Sequence, residues 1–264
     1  MFYGALLQAA GNALLDVGRS KLKAQLGCLT ILHTWGQNLS LHPHVHCVVP
    51  GGGFSLDGTR WVSPRNSSYL LPINVLWRRF RSLLCQALRA AERDGRLERL
   101  PKNVLPHITI EGAAAQEWIA YVKPPFGGPE QVLEYLSRYT HRVAISNRRI
   151  LSFVEHKVTF QWRDYSDSNR TKYSTIDALE FLRRFMLHVL PDRFVRIRYF
   201  GFLSNRHRAE RIARARRLLA RPVLSHFHDR PRPILLCSSC FANAAASAPR
   251  LNTVRPPPVA HHAA

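Results

Sequence analysis

Two histidines, His44 and His46, stand two residues apart in an apolar segment that ends at Pro50 and three consecutive glycines. In a β-strand, side chains two residues apart point to the same face of the sheet. Both imidazoles would then project together, and two neutral imidazoles can bind one divalent cation. The segment therefore predicts either a metal site or a pair of histidines that packs on a half-exposed strand.

Farther along the chain, Tyr135 and Tyr139 stand four residues apart in a stretch whose apolar residues follow helical spacing from residue 130 to residue 139. Residues i and i+4 are neighbours on a helix surface, so the two phenol hydroxyls would lie side by side. Three basic side chains accompany the pair: Arg138, His141 and Arg142. The alternative is two aromatic residues that pack a core face.

Together the two motifs resemble those of the two-tyrosine transposases in the HUH endonuclease superfamily. The greatest similarity is to the insertion-sequence-91-like group, which is related to the Helitron rolling-circle enzymes. The resemblance extends over residues 2–222, and three longer blocks carry it: residues 32–46, 135–147 and 198–208.

The resemblance implies a DNA transposase that works by rolling-circle transposition on single-stranded DNA, at the transposon ends and at the target. A tyrosine hydroxyl would attack a phosphodiester and leave a 5′-phosphotyrosine and a free 3′-OH. Two tyrosines suit two successive strand transfers, and no small-molecule cofactor is needed. Tyr139 is slightly favoured over Tyr135 as the residue nearer the phosphate, because it adjoins Thr140 and the basic pair after it.

A divalent cation on His44 and His46, either Mg²⁺ or Mn²⁺, would polarise the scissile phosphate. A third ligand is expected, and Gln37 is chosen because its strand should lie beside the two histidines. Gln37 could equally be an ordinary amide at a turn or sheet edge, and His33 and His141 are weaker candidates.

The chain has 38 Lys and Arg against 17 Asp and Glu, a formal charge of +21. Such an excess indicates a polyanionic partner. The candidate DNA-binding residues are Arg138, His141, Arg142, Arg206 and Arg208. No apolar stretch is long enough to span a bilayer, so we expect no membrane partner and a cytoplasmic, nucleoid-associated protein of a bacterial mobile element.

The pattern of elements predicts an α+β fold. The expected core is a central antiparallel sheet that carries the histidines, with the tyrosine helix packed against it, as in HUH endonucleases. Helices are also expected at residues 1–21, 74–93, 175–190 and 205–220, the last one strongly basic. Residues 1–222 would form the catalytic domain, and residues 223–264, rich in Pro and Ala, would form a mostly disordered tail.

Two rival functions stay open. One is a catalytically inactive, truncated transposase remnant that only binds DNA, since the cysteine-rich zinc module typical of the resembled family is not found before the motifs and only Cys237 and Cys240 follow them. The other is a metal hydrolase for a small phosphorylated substrate, against which the high positive charge speaks. A relaxase or replication initiator would use the same chemistry.

Overall fold

The structure is a computed structural model that describes residues 1–64, 70–96, 110–115, 118, 120–123, 125–140, 144–165, 167–219 and 232–237. The helices in these ranges are α1 (Phe2–Val17), α2 (Ile73–Arg93), α3 (Ile110–Ala115), α4 (Pro129–Thr140), α5 (Ala178–Met186) and α6 (Arg208–Leu219). A π-helical turn, Gly18–Leu22, follows α1, and 3₁₀ turns span Asn147–Arg149 and Asn205–His207.

The strands form three antiparallel sheets. The central five-stranded sheet has the order β10 (Ile197–Gly201), β2 (Gly27–Trp35), β3 (Leu41–Val49), β11 (Arg232–Cys237), β6 (Ala120–Val122). A small sheet joins β1 (Ala24–Gln25), β4 (Gly53–Ser55) and β5 (Trp61–Val62), and a third joins β7 (Ile150–Val154), β8 (Lys157–Asp164) and β9 (Arg170–Asp177). Helices packed on antiparallel sheets confirm the predicted α+β class.

One face of the central sheet is covered by α1 and α2. The apolar residues of α1 recur at helical spacing, as in Leu6, Leu7 and Leu14, and they pack with Leu32 of β2 and Val45 of β3 in the main core. At Gly11 the absent side chain lets α1 approach the sheet closely, since a Cβ there would lie 2.5 Å from the ring of Phe200. This face is buried and apolar, so it supports the strands that carry the histidines on the other face.

The opposite face of the sheet receives α4. Tyr135 packs there with Val48 and Phe126, while Leu29 contacts the same cluster from β2. Side chains alternate between the two faces along a strand. His33, His44 and His46 therefore point to the same face as Leu29 and Val48. The tyrosine helix and the His-x-His motif therefore lie on one face of one sheet, as the sequence predicted.

The predicted helix at residues 175–190 begins later than expected. The third sheet continues through Asp177, and the Asp177 carboxylate accepts a hydrogen bond of 2.8 Å from the Leu179 N–H, which caps α5. The residue Ile176 pairs with Val158 on β8 and packs in the cluster beneath α5. Hairpin pairing with the preceding strand β8 outweighed the local helical spacing.

Within the segment expected to form a mostly disordered tail, Arg232–Cys237 form β11 between β3 and β6. This strand contains the apolar run Ile234–Leu236, whose signal was hidden by the proline-rich composition around it. The expectation for the rest of residues 223–264 stays a prediction. Residues 220–231 and 238–264, including Cys240, lie outside the described residues. Among the helices of the described ranges, none combines the length and apolar character needed to cross a bilayer.

Candidate active site

Three histidines meet on the α4 face of the central sheet. The antiparallel register places His33 of β2 directly opposite His44 of β3 and places Ile31 opposite His46. The three rings are buried, and the candidate ligand atoms of His33, His44 and His46 all lie within 4.8 Å of one another. The arrangement is the donor set of a divalent-cation site with imidazole ligands.

The hydrogen bonds around His44 orient its ring for such a role. His44 Nδ1 donates to the carbonyl oxygen of His42 at 2.7 Å, so the neutral ring keeps the lone pair on Nε2. That Nε2 lies 3.1 Å from Nε2 of His46. A ring nitrogen held by a backbone carbonyl is the usual support of a metal-binding histidine, and the short Nε2–Nε2 separation allows both atoms to reach one ion. The residues present therefore fit a bound cation.

Tyr135 is joined to this cluster directly. Its hydroxyl is hydrogen-bonded to Nδ1 of His46 at 2.7 Å, and the side chain is 9% exposed. The Lys123 ammonium lies 5.9 Å from the Tyr135 ring centroid, on the same side of the site. The imidazole ring of His46 therefore joins the phenol oxygen, at Nδ1, to the candidate metal site, at Nε2.

Burial keeps His44 and His46 uncharged. It lowers the pKa of His44 to about 3, with a smaller contribution from neighbouring His33. The pKa of His46 is lowered as well, again mainly by burial, then by His33, His44 and Lys123. Neutral imidazole is the form that binds a metal, so the environment holds the ligands ready at neutral pH.

Gln37 lies in the turn between β2 and β3, where its side-chain amide donates to the Tyr165 hydroxyl at 3.0 Å and its carbonyl accepts from Arg149. Its role as third ligand stays a prediction, while the structure brings His33 to the cluster. The sequence shows His33 in the strand before the His-x-His motif, but it does not show which residue of the next strand lies opposite. That pairing with His44 follows only from the register of the hairpin. A register shift between His33 and Trp35 hides that pairing from simple counting.

The other predicted residues are only partly described. Tyr139 and Arg138 lie in α4 with side chains outside the described set, and His141 and Arg142 lie outside the described residues. Their predicted roles therefore stay predictions.

Two predicted DNA-binding residues lie together near the start of α6. Arg206 is exposed in the turn before the helix, and Arg208 opens α6 with its guanidinium 4.6 Å from the ring centroid of Tyr199. Sequence reasoning overlooked Lys123, which has no motif around it and is recognised only by its position beside Tyr135.

Comparison with known proteins finds a matching family model and two similar curated proteins. The family model described as "Putative transposase" matches residues 27–211. The chain is 45% identical over 231 residues to the "Putative transposase y4qJ" of Sinorhizobium fredii (strain NBRC 101917 / NGR234), a match covering 84% of this chain and 58% of that protein.

The chain is also 28% identical over 199 residues to the "Transposase for insertion sequence element IS801" of Pseudomonas savastanoi pv. phaseolicola, covering 75% of this chain and 48% of that protein. The chain thus spans about half the length of the curated relatives that it matches. No solved structure matches it. The family match includes the His-x-His strand, the tyrosine helix and the start of α6, and the chain belongs to the insertion-sequence-91-like family of putative transposases.

Proposed function

We propose that this chain is the catalytic part of a transposase that cleaves and rejoins single-stranded DNA by transesterification, in rolling-circle transposition. The observation that carries the proposal is the 2.7 Å contact between the Tyr135 hydroxyl and His46, a member of the three-histidine cluster. The candidate nucleophile and the candidate cation ligands thus belong to one hydrogen-bonded cluster, and transesterification at a phosphate needs both close to the reacting phosphorus.

In the proposed reaction the Tyr135 oxygen attacks phosphorus and the bond from phosphorus to the 3′ oxygen breaks. The products are a 5′-phosphotyrosine and a free 3′-OH, and the proton lost by the phenol balances the proton gained by the 3′ oxygen. Because the phosphodiester energy is kept in the new bond, no nucleotide cofactor is consumed.

His33, His44 and His46 would hold the divalent cation, Mg²⁺ or Mn²⁺, with Gln37 as the alternative third ligand. When bound, such an ion polarises the scissile phosphate and offsets its developing charge. Lys123 lies beside Tyr135 and would add positive charge where the phosphate approaches. Its ammonium is exposed, so it can reach a substrate without first leaving the core.

Tyr139, one turn after Tyr135, would accept the second strand. The DNA backbone would be held by Arg138, His141, Arg142, Arg206 and Arg208. The net charge of +21 supports a polyanionic substrate such as DNA. The protein would then act at the bacterial nucleoid.

The test is the capture of a covalent protein–DNA adduct. The protein is incubated with Mn²⁺ and a pool of randomised single-stranded DNA, and adducts that resist denaturant are mapped by mass spectrometry of the modified peptide. Tyr135→Phe is expected to lose most adduct, and Tyr135→Phe/Tyr139→Phe to lose all of it. Tyr173→Phe, at an exposed tyrosine of β9, is the matched control and should react like the wild type.

An adduct that persists in the double variant would show that the nucleophile is assigned wrongly. DNA binding by wild type without any adduct would favour the alternative, a protein that only binds DNA.

A further inference from the structure

A second basic site lies at the other end of the central sheet. It is a cleft of about 320 Å³ between the turn after α1, the β4–β5 hairpin and α6, and Leu26 and Gly201 form part of its floor. Gly201 pairs with Gly27 at the start of β2, whereas His33 lies six residues farther along the same strand. At about 3.4 Å per residue the cleft is roughly 20 Å from the histidines, so it is a separate site.

Three arginines line the cleft: Arg19, Arg211 and Arg214. Arg211 donates to the Gly201 carbonyl at 3.1 Å, and Arg214 donates to the Gly58 carbonyl at 2.6 Å. A guanidinium has five N–H groups, so each anchored arginine keeps donors for a ligand while its position is held. The Arg19 guanidinium makes no hydrogen bond or ion pair within the described part of the chain.

The acidic and aromatic residues of the cleft narrow the choice of ligand. Asp57 is its one acidic lining residue, and its carboxylate accepts hydrogen bonds from the Ser55 hydroxyl and the Thr59 N–H. Phe54 and Phe202 are each only 6% exposed, so they offer little ring surface for stacking a base. Three cations against one anion that already has partners favour an anionic group, and phosphate suits the fork of arginine donors.

A row of arginines extends from the cleft toward the site of the histidines. Arg208, Arg211 and Arg214 follow one another at intervals of three residues along α6, so they share one side of the helix. Arg208 covers Tyr199 and Arg211 binds the carbonyl of Gly201, so the row follows the edge strand β10. At its other end β10 pairs Ile197 with Ile31, the residue opposite His46.

We propose that the cleft formed by Arg19, Arg211 and Arg214 binds a backbone phosphate of the same DNA strand whose scissile phosphate lies at the histidines, with α6 as the path between them. The inference rests on the proposed function for the identity of the strand. The cleft would hold the strand at a fixed distance from the nucleophile and so contribute to its register.

The test measures the binding of fluorescent oligodeoxythymidylate of about 25 nucleotides to the full chain without divalent ions, over a range of salt concentrations. Arg19→Ala and Arg214→Ala should each weaken binding by about three- to ten-fold at low salt. Each should also reduce the slope of log K against log salt, by at most about 0.7, the value for one phosphate of a single strand. Arg93→Ala, an exposed arginine at the end of α2, is the control of equal charge and should change neither.

Arg214→Ala could unfold the β4–β5 hairpin, because Arg214 binds the Gly58 carbonyl. In that case the result for Arg19→Ala is the decisive one, because the Arg19 guanidinium holds no other part of the described fold in place. An unchanged slope in Arg19→Ala, or an equal loss in Arg93→Ala, overturns the proposal. The proposal is also overturned if inorganic pyrophosphate binds to wild type but not to Arg19→Ala and does not displace the oligonucleotide. The cleft would then bind a small phosphorylated ligand instead of the DNA backbone.

The adduct assay separates the two proposals. If wild type forms no adduct but the Arg19-dependent slope persists, the cleft stands and the transesterification proposal fails.

Discussion

At the scale of the residue, the site depends on the balance between burial and charge. Burial makes an imidazolium costly, so the pKa of His44 falls to about 3 and the ring stays neutral. Neutrality is what a metal ligand needs, while the Nδ1–H of His44 is committed to the His42 carbonyl. The remaining lone pair on Nε2 is therefore directed by the fold and not by the metal.

The first prediction at this scale concerns metal affinity. His44→Ala/His46→Ala should lower Mn²⁺ affinity by at least about ten-fold, because two of the three imidazoles are lost. Isothermal titration calorimetry measures the change, with exposed His207→Ala as the control that keeps wild-type affinity. Equal Mn²⁺ binding by wild type and the double variant would reject the cluster as a metal site.

The second prediction concerns pH in the absence of metal. In the unfolded chain the histidines take up protons below about pH 6.5, but in the fold His44 and His46 stay neutral because their pKa values are lowered. The unfolded state then binds more protons at low pH. The free energy of unfolding should therefore be highest above about pH 6.5 and should decrease as the pH is lowered from there, by about 1.4 kcal/mol per pH unit for each histidine.

Urea unfolding across this pH range measures that slope. The variant His44→Gln/His46→Gln should show a flatter dependence than wild type, by about 2.7 kcal/mol per pH unit for the pair. Identical slopes in the two proteins would mean that these histidines are not held neutral by the fold.

At the scale of the element, the close approach of α1 to the central sheet positions the strands that carry the site. Gly11 and Gly4 lie in the same helix but have different surroundings. A Cβ at Gly11 would lie 2.5 Å from the Phe200 ring, whereas one at Gly4 would be 3.6 Å from the end of the Arg198 side chain. Only the first position requires glycine.

Gly11→Ala is therefore expected to destabilise the protein by about 1–3 kcal/mol through overpacking. Gly4→Ala, the matched control, should be neutral or stabilise by up to about 1 kcal/mol, because alanine favours the helix. Denaturant unfolding compares the two, and a Gly11→Ala variant as stable as Gly4→Ala would contradict the described packing.

At the scale of the whole molecule, the net positive charge indicates a polyanionic partner. An excess of 38 basic over 17 acidic residues predicts that phosphate contacts dominate DNA binding. If Arg138, Arg142, Arg206 and Arg208 each contact one phosphate and the cleft around Arg19 holds a fifth, log K should fall against log salt with a slope of about −3.5 on single-stranded DNA.

Fluorescence anisotropy over a salt series measures this slope. A peptide nucleic acid of the same base sequence has no phosphates and serves as the control, for which binding should be weak and independent of salt. A constant affinity for the DNA across the series would exclude an interface dominated by phosphates.

The sequence alone determined the motifs and most of the elements that carry them. Alternation along a strand places His44 and His46 on one face, and spacing of four residues places Tyr135 and Tyr139 on one side of α4. These inferences hold because periods of two and of 3.6 residues are properties of the local backbone. The same locality allowed the amphipathic helix α1 to be predicted from the spacing of its leucines.

Only the tertiary structure decided which partners these motifs meet. His33 joins the cluster through the register of the β2–β3 hairpin, and Tyr135 reaches His46 because α4 packs on Leu29 and Val48. The strand β11 enters the sheet from a segment whose composition indicates disorder. Such contacts join residues far apart in the chain, and their choice depends on burial summed over the whole core, which no local pattern contains.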